Sequence, residues 1–236
     1  MSDSAAHHLH TDREFRAELA DLKERLLVMG ARVEEMILHS TRAVVARDIA
    51  FARSTIGNDR RVNQDEIEID RACLRILALR TPLARDLRFV TLVLKMVTDL
   101  ERIGDLAVNI CERAQDLAPL PAGGHDLRLE QMGNLAREMV RDALDAFVNS
   151  DELKAHAVIA RDDEMDDLYS DFFTEVLAEM LQDTGNVRRG IQLQSTAKYY
   201  ERICDHGTNL AEHVLFLVRG EDHRHRGKIP VDSQGG

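Results

Sequence analysis

The chain writes one acidic helix twice. Glu101–Glu112 reads ERIGDLAVNICE and Glu201–Glu212 reads ERICDHGTNLAE, with Glu, Arg, Ile, Asp, Asn and Glu at matching places. The echo extends outward. Asp48 and Asp151 each open the second helix of a half, and Asp59-x-x-Val62-Asn63 stands opposite Asp162-x-x-Met165-Asp166. Chance likeness between amphipathic helices does not deliver polar identities in order together with their flanking elements. Residues 12–117 and 125–220 are therefore two copies of one unit, and whatever fold one copy adopts the other must adopt too.

That unit is helical. Aromatic residues make up only 4% of the chain and Trp is absent, while Leu, Ala, Arg, Asp and Glu dominate, a mixture that favours helix over strand. From Asp12 to Arg47 the apolar residues Leu19, Leu22, Leu26, Met29, Val33, Met36, Ile37 and Val44 recur at helical spacing. Asp48 caps a second helix running to Arg80, and Thr81-Pro82 supplies a cap and first-turn proline for a third, running to Leu117. APLPAGGHD at Ala118–Asp126 is the main break. A fourth helix ends near Asn149, a fifth runs from Ser150 or Asp151 to Gln182, DTGN makes a turn, and a sixth stops at Gly220. Six helices of about 45 Å with short connections predict an all-α fold of two pseudo-repeated antiparallel three-helix bundles. Residues 1–11 and 221–236 read as flexible tails.

Composition narrows the functional classes. A formal net charge of -11 disfavours nucleic acid, because little positive charge is available to displace phosphate counterions. Cys73, Cys111 and Cys204 lack metal-type spacing and sit among apolar residues, as buried thiols of a reducing cytosol do. The polar start MSDSAAHHLHTDRE is not a secretory signal, and the longest apolar run, FVTLVLKMV, is too short to span a bilayer. A cytoplasmic protein that meets membranes only through its partners is expected. No paired Glu-x-x-His, GxxxxGK[ST] or GxSxG pattern is present. His7, His8, His10, His223 and His225 fall in the tails, and His206 reads as an ordinary polar residue.

On a helical wheel Glu101, Asp105, Asn109 and Glu112 share one face, with Leu100, Ile103, Ala107 and Ile110 broadly opposite. Glu201, Asp205, Asn209 and Glu212 repeat the pattern. Like charges four residues apart destabilise a helix, so something other than local stability keeps them there. The second helix of each half carries a matching row: Asp59, Asn63, Glu66 and Asp70 in the first half, and Asp162 and Asp166 in the second, where Tyr169 and Phe173 follow. If neighbouring helices bring these rows together, each half holds an oxygen-only site suited to hard divalent cations, iron or manganese.

At these residues the sequence resembles the PhoU family of phosphate-uptake and phosphate-signalling regulators. The likeness spans residues 12–220 and rests on DRRVNQDEIE at Asp59–Glu68, LRTPLARDLRFV at Leu79–Val90 and the two ERIxD helices. It implies doubled three-helix bundles binding Fe, Zn, Mn or Mg through Glu/Asp-x-x-x-Asp motifs. Carried onto this chain, the ligands are Glu101, Asp105, Glu201, Asp205, Asp162 and Asp166, with Asp59 and Asn63 beside them. Asn109 and Asn209 are additional oxygen donors, and Arg102 and Arg202 steady the carboxylates. Asn63 departs from a strict carboxylate, which marks the first site as the weaker. The resemblance further implies a homodimeric negative regulator of the Pho regulon, linking the phosphate ABC transporter ATPase to a sensor histidine kinase. Two other readings stand beside it: a carboxylate-bridged metalloenzyme, and a plain helical interaction module whose acidic faces bind basic partners.

Overall fold

A computed structural model describes residues 2–219, with side chains described from residue 13 onward. It contains seven α-helices and one short 3-10 turn: α1 (Ser2–Ala46), α2 (Ile49–Arg80), α3 (Ala84–Leu117), α4 (Asp126–Asn149), α5 (Glu152–Ala160), α6 (Asp162–Gln182), the turn Thr184–Asn186, and α7 (Val187–Arg219). Among the described residues there is no strand.

The architecture is two up-down-up helical units, α1–α2–α3 and α4–α5/α6–α7. The helices α1, α3, α7 and α4 close a central ring in which each packs on the next, with α2 laid over α1 and α3, and α5/α6 over α4 and α7. One continuous apolar core runs through both units. At its centre the Tyr200 hydroxyl donates to Thr41 Oγ1 at 3.1 Å, joining α7 to α1 across the ring. Burial of that phenol pushes its pKa well above the usual range even with Thr41 as a partner, so it stays a donor.

The same corner builds both units. Arg47 and Ser150 adopt left-handed φ values of 54° and 52°. The next residue caps the following helix: Asp48 accepts from the Phe51 amide at 2.9 Å and Asp151 from the Lys154 amide at 3.0 Å. Asp48 and Asp151 also donate their own amides back to Ala43 and Ala146, closing the preceding helices.

Three expectations are corrected. Helix α1 begins at Ser2, so its backbone extends through residues expected to be a loose tail; the tail from residue 220 and the side chains of His7, His8 and His10 lie outside the described residues. Helix α3 starts at Ala84 and not at Thr81-Pro82, because Thr81 closes α2 in the left-handed region and Leu83 is extended. The fifth helix is broken at Arg161. There the amide turns to Val158 O in a tightened 3-10 bond, and the guanidinium is held by Glu138 at 2.8 Å and Asp142 at 3.4 Å on α4. Asp162, Asp163 and Glu164 follow at once, in the first turn of α6, where negative charge is favoured.

Candidate functional site

The apolar stripe opposite each acidic row is buried, with Leu100, Ile103, Ala107 and Ile110 of α3 and Ile203 and Leu210 of α7 all at 0% exposure. That burial fixes the rotation of both helices and turns their acidic rows toward α2 and α6. At the first site a close approach helps: a Cβ at Gly104 would sit 3.3 Å from Val62 Cγ1 and 3.7 Å from Asp59 Oδ1. The second copy carries Cys204 at the matching position.

In the first half Asp59 and Glu66 of α2 face Glu101 and Asp105 of α3. Burial raises the Asp59 carboxyl above its ordinary range and the Asp105 charge adds to this, while the Asn63 amide, donating at 2.9 Å, pulls it partly back. Burial likewise raises Glu66, reinforced by Asp70, and raises Glu101, reinforced by Asp105. Asp70 is raised by burial. Arg102 reaches Glu101 and Asp105, both at 3.4 Å, from the solvent side, as a residue steadying the carboxylates does. Asn109 lies half-buried one turn further along α3, and Glu112 is exposed beside Arg113.

In the second half the effect is larger. Asp162, at the start of α6, is pushed up to about 6 by burial and then by the charges of Asp205, Asp166 and Glu201. The Thr208 hydroxyl lies close enough to pull it back slightly, without completing a hydrogen bond of ordinary geometry. Asp205 is raised by burial and by Glu201, tempered by Lys198 and His206. Lys198 holds Glu201 Oε1 at 2.7 Å and lies over the Tyr169 ring. It takes the steadying place expected for Arg202, which is exposed and has no ion pair among the described residues.

Three oxygens decide what this arrangement lacks. Asp59 Oδ1, Asn63 Oδ1 and Glu201 Oε2 are buried and accept no hydrogen bond. An unmet buried acceptor costs about 1–3 kcal/mol, and more when charged. Asp59 lies beside the Asp105 charge, and Glu201 lies among Asp162, Asp205 and Asp166, so a cation there would offset both the unmet oxygens and the like charges. The donors are all oxygen, and they fit a hard cation. Among the described residues no group of three or more His, Cys, Asp or Glu side chains stands close enough to hold an ion as placed. Facing carboxylates without a counter-charge repel one another, so drawing them onto an ion requires side-chain rotation.

One cluster escaped the sequence reading. His206 is not an ordinary surface residue. Its Nδ1 lies 2.8 Å from Asp99 Oδ1, and His213 Nε2 lies 3.1 Å from Asp99 Oδ2, across the α3–α7 contact between the two units. Burial pushes the Asp99 carboxyl up, but the two imidazoles outweigh it and hold it below the ordinary range. Asn209 turns its amide nitrogen toward Asp99 at 3.4 Å, so this residue serves the inter-unit cluster as well as the acidic face. The available signal was the spacing of His206, Asn209 and His213 along one face of α7. The cysteines behave as expected: all three are free and buried, and burial pushes Cys73 and Cys111 up to about 12.

Comparison with known proteins agrees with the doubled architecture. The model of the PhoU domain matches residues 26–114 and again 129–214, once within each three-helix unit. The chain belongs to the PhoU family. Its relatives include a phosphate-specific transport system accessory protein PhoU homolog of Pseudomonas putida, 38% identical over 99% of this chain and 91% of that protein. The accessory protein PhoU of Escherichia coli K12 is 32% identical over 98% of this chain and 95% of its own length. The crystal structure of PhoU from Pseudomonas aeruginosa superposes with a TM-score of 0.85 at 36% identity, covering 88% of this chain and 100% of that one. PhoU membership makes the protein a regulatory accessory protein and not an enzyme. No described helix is long and apolar enough to cross a membrane.

Proposed function

We propose that this PhoU-family protein is the regulatory accessory subunit of a phosphate-specific transport system, and that divalent or iron-type cations bind its two acidic faces. The relatives named for that system cover nearly the whole chain, which supports the first part. The buried unmet oxygens of Asp59, Asn63 and Glu201, set among like charges, support the second. In this reading the protein works in the cytoplasm as a homodimer. It links the transporter ATPase to a sensor histidine kinase and restrains the Pho regulon when phosphate is plentiful.

Glu101, Asp105, Asp59 and Asn63 would hold the ion of the first half, with Asn109 beside them. Glu201, Asp205, Asp162 and Asp166 would hold that of the second, with Asn209 as a shared donor. Bound there, a cation supplies charge neutralisation and joins α2 to α3 and α6 to α7. The chain's own residues do the rest: Arg102 and Lys198 orient the glutamates, and the buried faces of α3 and α7 keep both rows pointed at their partner helices. A cation-dependent rigidity of the outer helices is then the property that partner proteins read.

Deleting the gene is expected to make phosphate-starvation genes constitutive in abundant phosphate, measured by a reporter fused to a starvation promoter. Reintroducing the wild-type gene is expected to restore repression. Normal repression in the deletion strain contradicts the regulatory reading.

A further inference from the structure

We propose that the α2–α3 tip docks directly on an anionic lipid surface. Membrane contact is otherwise expected only through partner proteins; this second route is carried by a different part of the molecule from the acidic faces.

Four leucines stand out from this tip. Leu74, Leu79 and Leu83 are 61%, 69% and 80% exposed, and Leu87 follows on the first turn of α3. Leu153, 83% exposed, projects from the α4–α5 turn at the same end of the molecule, where Leu19, Arg85, Phe147, Ser150 and Leu217 border one groove. Exposed leucines in such density mark a contact surface.

The charge around them identifies the partner. Residues 71–90 carry five arginines against the single acid Asp86, in a chain whose net charge is -11. The internal repeat provides a control. The equivalent stretch of the second copy, residues 174–190, carries Glu175, Glu179 and Asp183 against Arg188 and Arg189, and it also exposes leucines, Leu177 and Leu181. The fold therefore tolerates apolar exposure at both tips, and among the described residues Arg80 alone of the first tip's arginines is tied by an ion pair to a neighbouring helix. Arg80 is held by Glu18 and Glu14 of α1. Glu18, Asp21 and Glu68 border the groove beside Arg71 and Arg75. Arg85 and Arg88 have no ion pair among the described residues.

A lipid headgroup layer suits this pattern better than a protein groove does. A helix face laid in a groove presents a continuous apolar strip. Here the exposed leucines are interspersed with arginines along the chain, so leucine side chains can enter the acyl boundary while arginines grip phosphates. The two units run in opposite directions, which places the acidic second tip at the far end. An anionic surface repels that end and the acidic faces, which leaves the arginine-bearing tip as the part that engages it.

The test is flotation of the full-length protein with phosphatidylcholine vesicles, with and without phosphatidylglycerol. Wild type is expected to float only with the anionic vesicles and to be released by high salt. Leu79→Asp with Leu83→Asp is expected to abolish binding, and Arg71, Arg75 and Arg85 changed to Gln to weaken it about fivefold for each arginine removed. Leu181→Asp on the opposite tip is expected to leave binding intact. All of these sites lie on the surface, so unchanged thermal melts separate lost docking from lost folding. The proposal is overturned if wild type fails to float with anionic vesicles at low salt, or if Leu181→Asp disrupts binding as much as the first-tip variants. Capture by an immobilised acidic peptide with no vesicle binding assigns the tip to an acidic protein and also overturns it.

Discussion

Asparagine in place of Asp162 is expected to raise the melting temperature of the metal-free protein at pH 7.5 and to lower it, relative to wild type, in saturating divalent cation. The Asp162 carboxyl moves from an ordinary 3.8 to about 6 in the folded protein. A group raised on folding contributes stability that is fully present below its unfolded pKa. That contribution is lost as pH rises through the folded pKa. Between pH 3.8 and about 6 the benefit drains away, and above it the ionised carboxylate is a burden on the metal-free fold. The full displacement corresponds to roughly 3 kcal/mol; water still reaches this group, so about 1 kcal/mol is the reasonable expectation after screening. The Asp162→Asn change removes the charge and keeps the shape, worth about 3 °C in a chain of this size. At pH 5 the gain should shrink, since wild-type Asp162 is then largely protonated. Cation reverses the order. A ligand present at about a hundred times its Kd adds roughly 2.7 kcal/mol, and the variant forfeits much of this by exchanging a charged carboxylate for a neutral amide oxygen. Equal metal-induced shifts in wild type and variant, read by scanning calorimetry in chelator and in cation, would remove Asp162 from the site.

Leucine in place of Gly133 is expected to be the most damaging single change away from the acidic faces. Helices α1 and α4 approach so closely there that a Cβ on residue 133 would stand 2.6 Å from Thr41 Cγ2 and 3.0 Å from Thr41 Cβ. Thr41 cannot simply swing aside. Its hydroxyl donates to Ile37 O at 2.8 Å and accepts from Tyr200 at 3.1 Å in the buried centre of the molecule. Overpacking of this kind costs about 1–3 kcal/mol, and breaking the Thr41–Tyr200 pair adds about 1 kcal/mol. A fall of about 10 °C follows for this chain length. Alanine should give a smaller loss of the same sign. Gly57 serves as the control: a Cβ there meets nothing within 4 Å, so Gly57→Ala in the α2 interior should stabilise by about 1 kcal/mol. Thermal melts of the three variants check the order, and an undiminished Gly133→Leu protein would mean that α1 and α4 are not in this contact.

The readability of this chain has a physical pattern. Helix limits at Asp48, Leu117 and Asn149 were legible because caps, glycines and prolines are local chemistry, and the repeat states the Asp48 corner a second time at Asp151; the expected stop at Gly220 lies outside the described residues. The break at Arg161 was not. The stretch ARDDEMDD has no proline or glycine, and what accompanies the break is the grip of Glu138 and Asp142, on another helix, upon Arg161. The two acidic faces were legible because spacing of four residues alone places carboxylates together. The substitution of Lys198 for Arg202 as the partner of Glu201 depends on rotamers that spacing does not set. The Asp99–His206–His213 cluster was hidden for the same reason as the Arg161 break. It joins residues more than a hundred positions apart, and nothing local to Asp99 marks it as partly buried against α7.

The most direct measurement is the metal content of the untagged protein after incubation with iron, zinc, manganese or magnesium and removal of free ion. Wild type is expected to retain cation in stoichiometric amount. Glu101→Ala with Asp105→Ala should lose the share held by the first half alone, and Glu201→Ala with Asp205→Ala the share held by the second. Protein that keeps only trace metal under all four conditions, or variants that keep as much as wild type, would contradict cation binding at these faces and leave them as surfaces for basic protein segments.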